Sequence, residues 1–133
     1  MIAQEIRHPW LGGSSLFTMY LADIILKPID HLRGRLYAAC DDGALVEIDS
    51  GSGNVTNVWP IPGAPDVTFF NPTSGLVHVA IGEPGLVETL DPRTGNAVRT
   101  MTGAGAHTTV LVPPAQLYVI SPKHGGILVL ADG

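Results

Sequence analysis

Short apolar runs separated by polar turn residues recur along the chain. Near the middle of the sequence they read DVTFF, LVHVAI, LVETL and AVRTM, and they are separated by NPTSG, GEPG and DPRTGN. Each run is about five residues long, is rich in Val, Leu, Ile, Thr and aromatic residues, and is bounded by Gly, Pro, Asp or Asn. This pattern is typical of β-strands, and no stretch of helical period is long enough to compete with it. The pattern predicts an all-β fold.

The same order of runs and turns occurs three times. The three copies read RLYAACDDGALVEID (35–49), LVHVAIGEPGLVETLD (76–91) and QLYVISPKHGGILVLAD (116–132). Their superposition places Tyr37, His78 and Tyr118 in one column, at spacings of 41 and 40 residues, and Asp49, Asp91 and Asp132 in another, at spacings of 42 and 41. A period near 41 residues indicates a repeat architecture.

Two turns of the repeat have residues suited to closing a hairpin. In DSGSGN and DPRTGN, Asp49 and Asp91 open the turn and are expected to accept hydrogen bonds from the backbone N–H groups just ahead. Gly53 and Gly95 are expected to take the left-handed conformation that finishes it. We therefore assign these aspartates a structural role.

Four antiparallel strands in about 40 residues are the unit of a β-propeller blade. Blades pack face to face, which buries their middle strands on both sides and explains why LVHVAI and LYVIS are almost continuously apolar. Through the three copies quoted above, residues 22–133 resemble the YVTN-type β-propeller repeats. The segments LYAA, VHVA and LYVI stand where that family favours Tyr-Val-Thr-Asn or Tyr-Val-Ala-Asn. The resemblance implies a propeller fold and does not imply a particular activity.

The sequence predicts one domain, residues 1–133, with a first, second and third blade at about 22–62, 63–104 and 105–133. The third blade is one strand short, and the run SLFTMYL (15–21), within an N-terminal segment of residues 1–21, is expected to supply the closing outer strand. Three blades alone would leave two apolar faces in water, so we predict a homodimer that closes a ring of six blades. The alternative is that the chain is a fragment of a longer propeller.

Composition and charge exclude several classes of partner. Charged residues make up 14% of the chain and hydrophobic residues 45%, which argues against intrinsic disorder. The net charge of -5 and the scattered basic residues argue against nucleic acid and anionic membranes as partners. With no visible signal peptide or membrane span, the expected location is cytoplasmic. Cys40 lies in an apolar run and is expected to be a small buried hydrophobe.

Candidate chemistry is confined to loops at the mouth of the central channel. In a propeller, the loops between second and third strands and the loops between blades emerge on the same side. Four residues of these loops are the candidate ligand or metal site: Asp66, Glu83, His107 and His124. Such groups suit a divalent cation such as Ca²⁺ or Mg²⁺, a small polar ligand, or acid–base chemistry. The alternative is that they are solvated turn residues and that the protein needs no cofactor. His78 lies within an apolar strand and is expected to be a packed core residue.

Three classes of function remain open. The first is a non-catalytic binding or scaffold module, which needs no special residues. The second is a metal-dependent lactonase, hydrolase or lyase with its site at the channel mouth, which would need several carboxylates and a His or Asn converging on the axis. The third is a purely structural assembly unit. Metal analysis of the purified protein would separate the second class from the other two.

Overall fold

The structure is a computed structural model, and it describes residues 3–6, 17–20, 29–106, 109–112 and 114–132. Its strands are β1 (Ala3–Ile6), β2 (Phe17–Tyr20), β3 (Ile29–Asp30), β4 (Arg35–Cys40), β5 (Ala44–Asp49), β6 (Val55–Pro60), β7 (Pro65–Asn71), β8 (Leu76–Ile81), β9 (Leu86–Asp91), β10 (Asn96–Met101), β11 (Thr109–Val112), β12 (Gln116–Ser121) and β13 (Gly126–Ala131). A short 3₁₀ turn, Pro122–His124, joins β12 to β13. The described part contains no helix long and apolar enough to cross a membrane. The predicted all-β fold is confirmed.

The strands form antiparallel sheets in the order of the chain. The first blade is the sheet β3-β4-β5-β6, and the second blade is the sheet β7-β8-β9-β10. The third blade has the order β11-β12-β13 and ends at β13 among the described strands. Strand β2 pairs with β1 in a separate two-stranded sheet. Completion of the third blade by residues 15–21 of a second copy stays a prediction.

The aspartates at the ends of β5 and β9 close their turns as the sequence predicts. Oδ1 of Asp49 accepts hydrogen bonds from the backbone N–H of Gly51 at 3.1 Å and of Ser52 at 2.8 Å. Asp91 accepts one from the N–H of Arg93 at 2.9 Å. These bonds stabilise the carboxylates, so that the hydrogen bond from Ser52 lowers the pKa of Asp49 and the hydrogen bond from the Arg93 side chain lowers the pKa of Asp91.

The main core lies between the first and second blades. Its buried residues are Tyr37, Leu45, Ile61, Phe70, Val77, Val79, Ile81, Leu86 and Leu90. The rings of Tyr37 and Phe70 stack across the two sheets with centroids 5.5 Å apart. A smaller cluster joins the second and third blades through Val87, Ala106, Leu117 and Val119. Alternate residues of the middle strands therefore face different neighbouring sheets, as packing of blades requires.

The other face of the first blade differs from expectation. Its residues Cys40, Ala44, Val46 and Ile48 are buried, although the second blade packs on the opposite side of this sheet. The sequence predicted two apolar faces in water; among the described residues, the outer face of the third blade is exposed and that of the first blade is buried in the single chain.

Leu45 provides a test of the core between the first two blades. Its side chain is 0% exposed, so Leu45→Ala removes buried methyl groups and leaves a cavity. We expect a loss of about 2–5 kcal/mol in the free energy of unfolding. The control is Leu32→Ala at a side chain that is 92% exposed, for which we expect a change within about 0.5 kcal/mol. Urea unfolding of the wild-type protein and the two variants measures both changes in the free energy of unfolding. Similar midpoints for Leu45→Ala and Leu32→Ala would contradict the burial of Leu45 between the blades.

Candidate functional site

Loops from neighbouring blades meet along one side of the sheets. The carbonyl of Glu83, in the β8–β9 turn, leaves no room for a side chain at Gly63, in the segment that joins the first two blades. In the same turn, Gly85 lies against the backbone of Gly103, in the segment that follows the second blade. Gly63 and Gly85 have φ of 90° and 93°, a conformation that residues with side chains rarely adopt. Glycine therefore lets these loops form one continuous rim.

Backbone hydrogen bonds hold the loops of the rim together. The N–H of Ile61 donates to the carbonyl of Gly43 at 2.9 Å, and the N–H of Thr102 donates to the carbonyl of Gly85 at 2.9 Å. The hydroxyl of Ser121 donates to the carbonyl of Thr102 at 2.6 Å, which adds the third blade to the network. The rim is a connected structural unit because each joining segment is tied to the turn beside it.

Three of the four predicted site residues lie in this region with exposed side chains. Asp66 lies in β7 where its register with β8 shifts, and Glu83 lies in the β8–β9 turn. Neither side chain makes a hydrogen bond or ion pair within the described part of the chain. Nδ1 of His124 lies 2.8 Å from the hydroxyl of Ser121. His107 lies outside the described residues.

The described residues do not include a ready-made metal centre. Among them, no group of three or more His, Cys, Asp and Glu side chains is close enough to hold a metal ion. Because His107 is not among them, the predicted cation or small-ligand site at the rim stays a prediction.

The most buried polar cluster lies between the second and third blades. His78 is 2% exposed, as expected of a packed core residue, and its Nδ1 lies 3.0 Å from the hydroxyl of Thr89 on the neighbouring strand. Its Nε2 lies 2.9 Å from Oδ1 of Asp132, which follows the last strand of the third blade. The ring N–H is not aimed at that oxygen well enough for a directed hydrogen bond, so the contact is an electrostatic one between close atoms.

Asp132 differs from the two aspartates of its repeat column. Its side chain is 0% exposed, whereas Asp49 and Asp91 lie at exposed turns. Oδ2 of Asp132 accepts a hydrogen bond from the hydroxyl of Ser74 at 2.7 Å and one from the side-chain amide of Asn71. Asn71 ends β7, and Ser74 lies in the β7–β8 turn of the same second blade. The Asp132 carboxylate therefore connects two blades, whereas the carboxylates of Asp49 and Asp91 each close a turn within one blade.

Burial governs the protonation of His78. Removal of the ring from water lowers its pKa below the ordinary value, and the neighbouring Asp132 carboxylate opposes this shift only in part. The imidazole is consequently neutral near pH 7. With an ionised carboxylate beside Nε2, the proton of the neutral ring belongs on Nε2, and Nδ1 accepts a hydrogen bond from Thr89.

The corresponding position in the first blade holds a different polar pair. Tyr37 and Glu47 lie opposite each other on β4 and β5, and the Tyr37 hydroxyl donates to Oε2 of Glu47 at 3.2 Å. Oε1 of the same carboxylate accepts hydrogen bonds from Thr56 at 2.6 Å and from Asn57 at 2.9 Å. Burial, and then the Glu47 charge, raise the pKa of Tyr37. Each of these two blade junctions thus contains a buried carboxylate that accepts hydrogen bonds, through both oxygens in Glu47 and through Oδ2 in Asp132.

Cys40 has no reactive character. It lies buried at the end of β4, and burial raises the pKa of its thiol to about 12, with the charges of Asp42 and Asp41 acting in the same direction. A thiol of this kind is not ionised at neutral pH, which agrees with the expectation that Cys40 is a buried hydrophobe.

Most of the large hydrophobic side chains that are exposed among the described residues lie on the face of the third blade that points away from the second. Its exposed residues are Val110, Val112, Ile120, Ile127 and Val129, and we call this surface the exposed face. Cross-strand pairing places Ile127 of β13 at the position of Leu45 in the first blade and Val87 in the second. Leu45 is 0% exposed and Val87 is 1% exposed, but Ile127 is 64% exposed. In the first two blades the next sheet covers this position.

Sequence reasoning missed the role of Asp132. The superposition of the repeats aligned Asp132 with Asp49 and Asp91 and did not distinguish its role from theirs. The partner of Asp132 was not readable, because Ser74 and His78 come close to it only when the blades pack.

Comparison with known proteins identifies the fold. No protein-family model matches the chain, and no curated protein matches it in sequence. Among solved structures, the chain is similar to Sqt1 of Saccharomyces cerevisiae, a WD40 β-propeller protein, with a TM-score of 0.66 and 13% sequence identity. The match covers 77% of this chain and 29% of Sqt1, so the chain spans less than a third of that protein. Together with the antiparallel four-stranded sheets, this similarity shows that the chain has a β-propeller fold.

Proposed function

We propose that this protein is a non-catalytic β-propeller module for binding or scaffolding, and that it assembles with a second copy of itself through the exposed face of the third blade. The observation that carries the proposal is the 64% exposure of Ile127 at a sheet position that is buried in the other two blades. An apolar patch of this kind marks an interaction surface. Each 100 Å² of apolar surface that a partner covers contributes about 2.5 kcal/mol.

A second copy suits this surface by charge and by shape. The five exposed residues that define the face are all aliphatic, so two chains that each carry a net charge of -5 can meet there without placing like charges in contact. The face also has the cross-strand pattern that receives a neighbouring blade elsewhere in the molecule. A blade of a second copy is therefore a complementary partner.

A ring of six blades is the closed form of this assembly. In it, the third blade of each copy packs against the first blade of the other. That face of the first blade carries Cys40, Ala44, Val46 and Ile48, which are buried in the single chain, so ring closure requires this face to become accessible. The assignment of the repeats to the YVTN type, from LYAA, VHVA and LYVI, and a cytoplasmic location belong to the same proposal.

A binding role is favoured over catalysis by the environment of the rim side chains. Asp66 and Glu83 are exposed, and within the part of the chain that the structure describes they have no side-chain partner of the kind that orients a catalytic acid or base. The most perturbed histidine of the described part, His78, is buried between two sheets where a substrate has no access. The metal-dependent lactonase, hydrolase or lyase is the competing function.

Ile127→Asp tests the assembly surface. A charge at the centre of a dry contact must be desolvated, so we expect the dimer to dissociate at micromolar concentration, with a loss of at least tenfold in affinity. Leu32→Asp is the matched control, because it places the same charge on an exposed turn of the first blade and is expected to leave the dimer intact. Light scattering measures the mass against the chain mass of 14.0 kDa. A stable wild-type monomer, or a dimer unaffected by Ile127→Asp, would refute the assembly.

Thermal melting with and without divalent cations separates the module from the metal-dependent enzyme. If the protein is a binding module without a metal, neither a chelator nor added Ca²⁺, Mg²⁺ or Zn²⁺ is expected to change the melting temperature. His107→Ala is likewise expected to have the melting temperature of the wild-type protein, with or without the cation. An ion that binds only the folded protein stabilises it in proportion to the logarithm of its concentration. Stabilisation that rises with cation concentration and disappears in Asp66→Asn and His124→Ala would instead support the enzyme.

A further inference from the structure

The third blade is held to the second by a small apolar cluster and one buried carboxylate. The cluster has four buried residues, against nine between the first two blades. The carboxylate of Asp132 contacts three groups of the second blade, namely the ring of His78, the hydroxyl of Ser74 and the amide of Asn71. Polar contacts therefore make up a larger share of the contacts at this junction than at the junction between the first and second blades.

The backbone of Asp132 and the side-chain amide of Asn71 also bind the β11–β12 turn of the third blade. The backbone N–H of Asp132 donates to the carbonyl of Ala115 at 2.9 Å, and the amide of Asn71 reaches the carbonyl of Pro114 at 3.0 Å. Both carbonyls lie in the β11–β12 turn. Movement of Asp132 away from His78 would thus carry the edge of the third blade with it.

Few charged groups face His78. The residues opposite it on the neighbouring strands are Phe69 and Thr89, and the third blade contributes Leu117, Val119 and the Asp132 carboxylate to this junction. Glu88 is paired with Val79 and therefore lies on the other face of the second blade, where it bonds Arg99. Asp91 ends β9 on the side of His78 and is paired with Arg93 at the turn. Asp132 is the one charge in contact with the ring among the described residues.

We propose that the contact between His78 and Asp132 is an acid-sensitive latch, and that mild acid releases the third blade from the second. When the blade opens, the ring enters water and becomes free to take up a proton. The latch stands independently of the proposed function. Its effect on assembly rests on that function, because the blade that is released carries the exposed face.

The direction of the pH effect follows from proton linkage. Burial holds the pKa of His78 in the closed state below the ordinary value of about 6.5. In the open state the solvated ring has the ordinary pKa, so the open state binds more protons below pH 6.5. The stability of the closed blade is therefore complete above about pH 6.5 and falls as the pH decreases toward the closed-state pKa. One proton per opening gives at most about a tenfold change in the opening equilibrium for each pH unit.

Hydrogen exchange of the full-length protein tests the latch. Between pH 7.5 and pH 5, with rates corrected for intrinsic exchange, we expect amides of β12 and β13 to lose protection by up to about tenfold per unit below pH 6.5, while amides of β5 change less. His78→Gln is expected to remove this dependence. His31→Gln, at an exposed turn histidine, is the matched control and is expected to retain it. Flat protection in the wild-type protein, or an unchanged pH dependence in His78→Gln, would overturn the latch.

A second variant covers the case in which His78→Gln does not fold. Asp132→Asn keeps the size of the side chain and removes the charge, so we expect weaker protection of β12 and β13 already at pH 7.5. Equal protection in this variant and the wild-type protein would count against the latch. The oligomeric state is measured separately at pH 7.5 with Ile127→Asp. A monomeric wild-type protein with pH-dependent exchange would refute the assembly and leave the latch standing.

Discussion

The sheets of this protein have apolar side chains on both faces, and this constraint determines how the molecule is built. A strand such as β8 has Val77, Val79 and Ile81 on the side of the first blade and His78 and Ala80 on the side of the third. A lone sheet of this composition would leave at least one apolar face in water. Stacking the sheets face to face buries both apolar faces of the middle strands in every blade that has a neighbour on each side. The third blade has one described neighbour, which explains why apolar side chains are exposed on its other face.

The polar groups buried between blades meet a second requirement. Buried carboxylates cost free energy unless donors surround them. Glu47 has donors from Tyr37, Thr56 and Asn57, all within its own blade. Asp132 has donors from the neighbouring blade instead, and it lies beside a neutral imidazole. The two junctions thus differ in chemistry, because among the described residues Glu47 takes its donors from one blade and Asp132 takes its donors from the neighbouring blade.

The rim and the exposed face suggest different uses of the same fold. At the rim, glycines and backbone hydrogen bonds fix the loops, while Asp66 and Glu83 remain exposed. The exposed face is a sheet surface whose five defining residues are all aliphatic. An exposed apolar patch favours a protein partner, whereas a concave site with a few polar groups favours a small ligand. This contrast is the reason for preferring a binding module over an enzyme, since the propeller fold by itself is compatible with both.

The sequence by itself determined the all-β class, the repeat near 41 residues, the positions of the two middle strands of each repeat and the role of Asp49 and Asp91 in their turns. These features depend on local pattern, because strand alternation and turn residues act within a few positions of one another. The sequence also indicated that His78 is buried, but not that Asp132 lies beside it. Only the tertiary structure decided that contact, the burial of the outer side of the first blade and the exposure of Ile127, because each depends on which sheet packs against which.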